Sequence, residues 1–186
     1  MEGPLSKVRV LSLGNYLAGP VAAMIMGDLG AEVIKIEPPQ GDLSRLTAGP
    51  NHKGESSHFL SWNRNKKGIV LDLRTESGKE AFEGLVKISD VVLNNFRPGV
   101  MKRLGADYEA LKNINPRIIC INLSGMGTSG PYSDRPAVES TASGASHSAR
   151  LVRSSWAFRA SNSSDLFSAG AMIALSIAAT SLEMLS

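Results

Sequence analysis

The chain has 186 residues, 42% of them apolar, enough to fill the core of one domain and to exclude wholesale disorder. Its net charge of +3 is spread along the chain, too mild for a nucleic-acid binder but favourable to a small anion. The single cysteine, Cys120, excludes an internal disulfide and fits a reducing compartment.

The opening MEGPLSKVRV lacks the apolar stretch of a signal peptide. The apolar runs near 17–27 and 166–182 are interrupted by Pro, Gly and Ser, so neither suits a bilayer span. A soluble, cytoplasmic protein is expected.

VRVLSL (8–13) is short and rich in Val and Leu, as a buried parallel strand should be. The turn GNYLAGP follows, and Pro20 suits the first position of a helix that AAMIMGDL continues. Gly30 stops that helix, AEVIKIE (31–37) forms a second strand, and PPQGD breaks it. This is a βαβ unit, whose strands should run parallel.

Residues 43–60 are polar and turn-rich and read as a long loop. GIVLDL (68–73) is the third strand. A helix is expected over 76–88, with Ser77 and Glu80 at capping-box spacing and Ala81, Phe82, Leu85 and Val86 as its apolar stripe. VVLNNF (91–96) is the fourth strand. Short helices near 99–104 and 107–113 lead to RIICINLS (117–124), the fifth, where Cys120 reads as a structural thiol. Residues 140–164 are rich in Ser, Ala and Arg and read mostly as loop, before an apolar helix resumes from Leu166. The alternation of strands and helices predicts an α/β fold, Rossmann-like, with a parallel sheet.

In such a sheet, ligands bind beyond the carboxyl ends of the strands. The stretches that follow the five strands are GNYLAGP, EPPQGD, DLR, NNFRPG and SGMGTSGPY. Gly, Asn and Arg collect there, which favours a binding edge. GMGTSG (125–130) has the letters of a dinucleotide fingerprint, but it follows the fifth strand and is flanked by prolines rather than a helix start. GNYLAGPV has Pro20 where a phosphate loop needs Lys. Arg64, Lys66, Lys67, Arg74, Arg97, Lys102 and Arg103 offer charge for phosphates. His52, His58 and His147 lack metal-ligand spacing, so no metal is expected. Asp165, alone in SNSSDLFSAG, fits a helix N-cap on composition.

The stretches LAGPVAAMIMGDLGAEVIKIEPPQGD (17–42), NRNKKGIVLDL (63–73), NNFRPGVMKRLG (94–105), NPRIICINLSGMGTSGPYSDRP (115–136) and SSDLFSAG (163–170) resemble the class III coenzyme A-transferases, relatives of the α-methylacyl-CoA racemases. The resemblance implies a Rossmann-like CoA-binding region over 1–136, a diverged segment over 137–164, and a helix over 165–186. That helix would carry the catalytic aspartate, Asp165. It implies coenzyme A, as acyl-CoA, for substrate, and no metal. Asn15, Tyr16, Leu17 and Ala18 match the turn along the CoA thioester arm. Leu71 and Arg74 match positions around adenine and ribose phosphate, Asn95, Phe96 and Arg103 match further CoA contacts, and Glu139 matches an acidic position near the active site.

The implied reaction is CoA transfer between carboxylic acids through an aspartyl anhydride and an aspartyl-CoA thioester. Val138 stands where the racemases carry a histidine, which argues against racemisation, while His147 lies near enough in sequence to keep an acyl-CoA racemase as the alternative activity. Leu17 stands where formyl-CoA transferase carries a glutamine, which argues against formate and oxalate. Family members are much longer. The implied whole is a homodimer or a chain complemented by a C-terminal half; an inactive fragment or interaction subunit is the reading of a different class.

Overall fold

The structure is a computed structural model and describes residues 3–47, 50–124, 131 and 157–159. In chain order the elements are β1 (Arg9–Ser12), α1 (Ala18–Asp28), β2 (Glu32–Glu37), a 3-10 turn (Leu43–Leu46), β3 (Asn51–His52) and β4 (Glu55–Ser56). Then come α2 (Ser57–Trp62), β5 (Lys67–Val70), α3 (Glu76–Lys87), β6 (Val91–Asn94), α4 (Val100–Arg103), α5 (Tyr108–Ile114), β7 (Ile119–Asn122) and β8 (Ala157–Arg159).

The main sheet has the order β5-β2-β1-β6-β7-β8. Its first five strands are mutually parallel and all five overlap the expected strands, although β5 ends at Val70 and leaves residues 71–73 of the expected 68–73 strand outside it. Numbered among themselves, they run 3-2-1-4-5, the Rossmann arrangement. The chain reverses its direction of travel across the sheet between β1 and β6, where Val10 faces Val91 and Ser12 faces Leu93. β8 adds an antiparallel edge, with Ile121 opposite Phe158. It falls inside the segment read from sequence as mostly loop; three residues are too few to carry a legible alternation.

Side chains alternate across the sheet and feed two cores. Val10, Val33, Val91, Leu93 and Ile121 pack with Ala22, Ala23 and Met26 of α1. Leu11, Leu13, Ile36 and Val92 pack on the other face with Phe82, Val86 and Leu111 of α3 and α5. α1 is mostly buried, in keeping with its apolar composition. It starts at Ala18, two residues before the expected position, so Pro20 sits inside its first turn, where no N–H is needed. Gly30, at φ +102, ends it as expected.

α3 departs from its sequence reading at the cap. Thr75, not Ser77, is the N-cap, and its Oγ1 accepts from the Gly78 N–H at 3.1 Å. A Cβ on Gly78 would lie 2.0 Å from the Asp72 carbonyl oxygen, so glycine lets the helix close over the preceding turn. Phe82 and Val86 are buried and Leu85 is half-buried, but Ala81 is exposed. Segment 43–60 is not one loop: it holds the 3-10 turn, the β3–β4 hairpin and most of α2. These elements are too short to show periodicity in sequence. At the opposite end of the sheet from β8, β5 is exposed along its length, with Ile69 at 38% and Val70 at 61%.

Candidate functional site

A cavity of about 240 Å³ opens at the carboxyl edge of the sheet. Leu13, Gly14 and Asn15 after β1, Glu37 at the end of β2 with Pro38, Gln40 and Asp42 beyond it, Leu71 to Arg74 after β5, and Phe96 after β6 contribute to its wall. Of the residues matched to CoA contacts, Asn15, Leu71, Arg74 and Phe96 line this one cavity. Tyr16, Leu17, Ala18 and Asn95 lie beside it, in or against the turn between β1 and α1. Arg103 sits on α4 without lining it. Asp165 and Glu139, matched to catalytic positions, lie outside the described residues, as does the GMGTSG stretch.

The turn after β1 is built around a close backbone approach. A Cβ on Gly14 would lie 2.8 Å from the Gly19 Cα, and one on Gly19 would lie 2.9 Å from Asn95 Oδ1. Two glycines therefore let the turn fold against the end of β6. Asn95 bridges the switch point: its Oδ1 accepts from the Asn15 N–H at 2.8 Å, and its Nδ2 donates to the Asn15 carbonyl at 2.9 Å. Asn15 Oδ1 in turn accepts from the N–H groups of Tyr16 and Leu43. Tyr16 is non-glycine at φ 67, a left-handed conformation that costs about 1–3 kcal/mol and persists only where its surroundings impose it. Its ring meets Trp62 edge-on at 5.9 Å, and Trp62 stacks on His58 at 4.9 Å.

Beneath the turn lies a buried ion pair. Lys35 Nζ donates to Asp42 Oδ2 at 2.5 Å and to the Gly14 carbonyl at 3.0 Å, with side chains 3% and 1% exposed. Asp42 Oδ1 accepts from the Tyr16 N–H at 3.1 Å and from both the N–H and hydroxyl of Ser44 at 2.8 Å. Burial alone would raise the Asp42 pKa. The Lys35 ammonium and the Ser44 donors outweigh it and hold the carboxyl below its ordinary value. Glu37 accepts from the Asp42 N–H and from a bidentate Arg45 at 2.8 and 2.9 Å. Its pKa is likewise lowered: burial opposes, and Arg45 prevails. Arg45 also reaches Glu55 at 2.7 Å and lies 3.6 Å over the Phe59 ring.

The basic side chains separate into two groups. Arg64 pairs with Asp28, Lys67 with Glu32, and Arg74 with Asp72. Arg74 grips Asp72 through two bonds of 2.8 Å, which pull the Asp72 pKa down to about 2. Lys66 turns inward to the carbonyls of Pro20 and Trp62 and to Asn63 Oδ1, and burial with the nearby Lys35 charge lowers its pKa to about 6. Arg97, Lys102 and Arg103 are exposed around α4 and make no ion pair among the described residues.

On that same side a second cavity of about 270 Å³ lies between β6, β7, α4 and α5, lined in part by Asn94, Lys102, Cys120 and Asn122. Burial pushes the Cys120 thiol up to about 12, which removes it as a nucleophile and agrees with a structural role.

Sequence reading missed Lys35, Glu37, Asp42 and Arg45 as a unit. The available signal was the Lys within EVIKIE, a strand otherwise apolar enough to be buried, followed by an Asp after the glycine turn.

The sequence model of the family described as CoA-transferase family III matches residues 5–183. The chain is 46% identical over 133 residues to a succinyl-CoA–D-citramalate CoA-transferase of Chloroflexus aurantiacus, covering 71% of this chain and 33% of that protein. It is 45% identical over 139 residues to an acetyl-CoA:oxalate CoA-transferase of Acetobacter aceti, covering 74% and 36%. Among solved structures, a CAIB/BAIF family protein from Brucella suis superposes with a TM-score of 0.76 at 33% identity, covering 99% of this chain and 50% of that one. The chain thus spans about a third of these curated relatives and half of the solved one.

Proposed function

The chain belongs to CoA-transferase family III, and we propose that it forms the CoA-binding part of an enzyme that moves coenzyme A between carboxylic acids. The family match carries this reading. The cavity supports it, because four residues matched to CoA contacts converge there from three different loops. In this proposal the nucleotide end of CoA occupies the cavity between Leu71–Arg74 and Phe96. The exposed Arg97, Lys102 and Arg103 supply charge for phosphates, and the thioester arm runs along Asn15–Ala18.

Asp165 is the proposed nucleophile. Its carboxylate attacks the donor thioester carbonyl and expels CoA thiolate, leaving an aspartyl-acyl anhydride. The thiolate attacks the aspartyl carbonyl, releases the donor acid and leaves an aspartyl-CoA thioester. The acceptor carboxylate displaces the thiolate to form a second anhydride. Thiolate attack on the acceptor acyl carbonyl then yields the new acyl-CoA and restores Asp165. The cycle exchanges one thioester for another, so its driving force comes only from the two acids. Glu139 is proposed to stand near the reacting groups. The remainder of the site would come from a partner copy or a complementing chain. Two relatives, each matched over about a third of its length, are named as alpha and beta subunits of a succinyl-CoA–L-malate CoA-transferase, which supports action together with a second polypeptide.

The test combines this chain with a C-terminal polypeptide from its own genome and supplies succinyl-CoA with a panel of dicarboxylic acids. Hydroxylamine trapping and mass spectrometry should place the adduct on Asp165. Asp165→Ala should lower turnover by at least about a thousandfold. Full activity in that variant would overturn the assignment.

A further inference from the structure

We infer that the buried Lys35–Asp42 pair is a positioning device for the turn that receives the acyl-CoA thioester, holding residues 14–16 in place with Tyr16 in its left-handed conformation. This inference rests on the proposed CoA reading.

Three observations converge. The pair touches the turn at both ends: Lys35 binds the Gly14 carbonyl, and Asp42 binds the Tyr16 N–H. Tyr16 is the residue held at positive φ, so its amide is where relaxation would begin. The pair is also anchored away from the turn. Asp42 Oδ1 is held by Ser44, and its own N–H is held by Glu37, which Arg45 clamps in two-point contact. A force on the turn is therefore carried into β2 and the 3-10 turn rather than dissipated in a loop. Hydrophobic residues can often replace a buried ion pair at little cost in stability, so stability alone does not explain its presence. What apolar side chains could not reproduce is the set of directed bonds to Gly14 and Tyr16. Neither Lys35 nor Asp42 is exposed enough to make extensive ligand contact, so both act through the backbone of residues 14–16.

The experiment compares this chain with two double variants that leave no uncompensated buried charge: Lys35→Met with Asp42→Ala, and Lys35→Met with Asp42→Asn. The first removes the acceptor for the Tyr16 amide, and the second restores a neutral one. Amide hydrogen exchange is read at Tyr16 and Ser44, and calorimetry gives affinities for acetyl-CoA and for 3′,5′-ADP. In the Ala variant, exchange at both amides should speed by about tenfold and acetyl-CoA affinity should fall by about tenfold. Affinity for 3′,5′-ADP should stay within about threefold, and the Asn variant should recover most of the acetyl-CoA loss.

Unchanged exchange in a folded Ala variant overturns the inference. So does an equal loss for both ligands, which would mark a general structural role. If the wild-type chain binds neither ligand, alone or together with its complementing C-terminal polypeptide, the CoA reading falls instead, and exchange alone then decides whether the pair holds the turn.

Discussion

The two halves of the sheet's carboxyl edge use charge in opposite ways. At the ends of β1 and β2, Lys35, Glu37, Asp42 and Arg45 are consumed by one another and by backbone groups. At the end of β6, Arg97, Lys102 and Arg103 stand exposed beside the second cavity. The first arrangement gains direction: Lys35 and Arg45 each bond to fixed acceptors, and a strained residue is held in place. The second keeps its charge available to a mobile anion. A site that must fix a reacting thioester and also attract a polyphosphate needs both, and it cannot obtain them from the same side chains.

The largest expected effect comes from halving the closed network. Asp42→Ala alone strands the Lys35 ammonium in the core, and urea denaturation should show a loss of about 3–5 kcal/mol. Acid should do the same gradually. The unfolded chain protonates Asp42 and Glu37 at their ordinary values of 3.8 and 4.5, while the folded chain holds both lower. Their contribution to stability is complete above those values and is lost as pH falls through the folded ones, as thermal melts between pH 6 and pH 3 should record. Asn95→Ala removes both bonds across the switch point and should cost about 1–3 kcal/mol in the same denaturation assay.

On the open side the order inverts. Replacing Arg97, Lys102 and Arg103 together by Ala should change stability by less than about 0.5 kcal/mol per residue. Affinity for CoA should fall by about tenfold at low salt and by less at high salt, in a titration across ionic strength. Smallest of all, Cys120 should resist alkylation at pH 8 in the folded chain, because its thiol titrates at about 12. If the open-side triple variant proves as destabilised as Asp42→Ala, the two halves are not functionally distinct.

The parts of this architecture visible in sequence were those with a repeating local cause. Runs such as VRVLSL and VVLNNF are apolar because their strands are covered on both faces, and the turns between them are polar because they are not. Phe82 and Val86 were legible for the same reason. Thr75 was not: three hydroxyl or acidic residues, Thr75, Glu76 and Ser77, crowd the start of α3, and the choice among them depends on how Gly78 packs under Asp72. The Lys35–Asp42 pair was invisible because its bonds join a strand to a loop and to the turn before it. Arg74 was expected to offer free charge, but Asp72, two residues before it, already engages that guanidinium. Tyr16 gave no sign of its left-handed backbone, which its neighbours impose rather than its own preference.

The exposed β5 strand has a practical consequence for anyone handling this polypeptide. Its outer side carries no partner strand among the described residues, and Ile69 and Val70 stand open to solvent. An open sheet edge is a template on which a second molecule can lay its own strand. Lys67 guards only one end, and Glu32 already engages its charge. Storage of the purified chain should therefore be limited by protein concentration before it is limited by heat, with light scattering rising on a concentration series while the melting curve stays unchanged. A charge placed at Val70 should delay that rise.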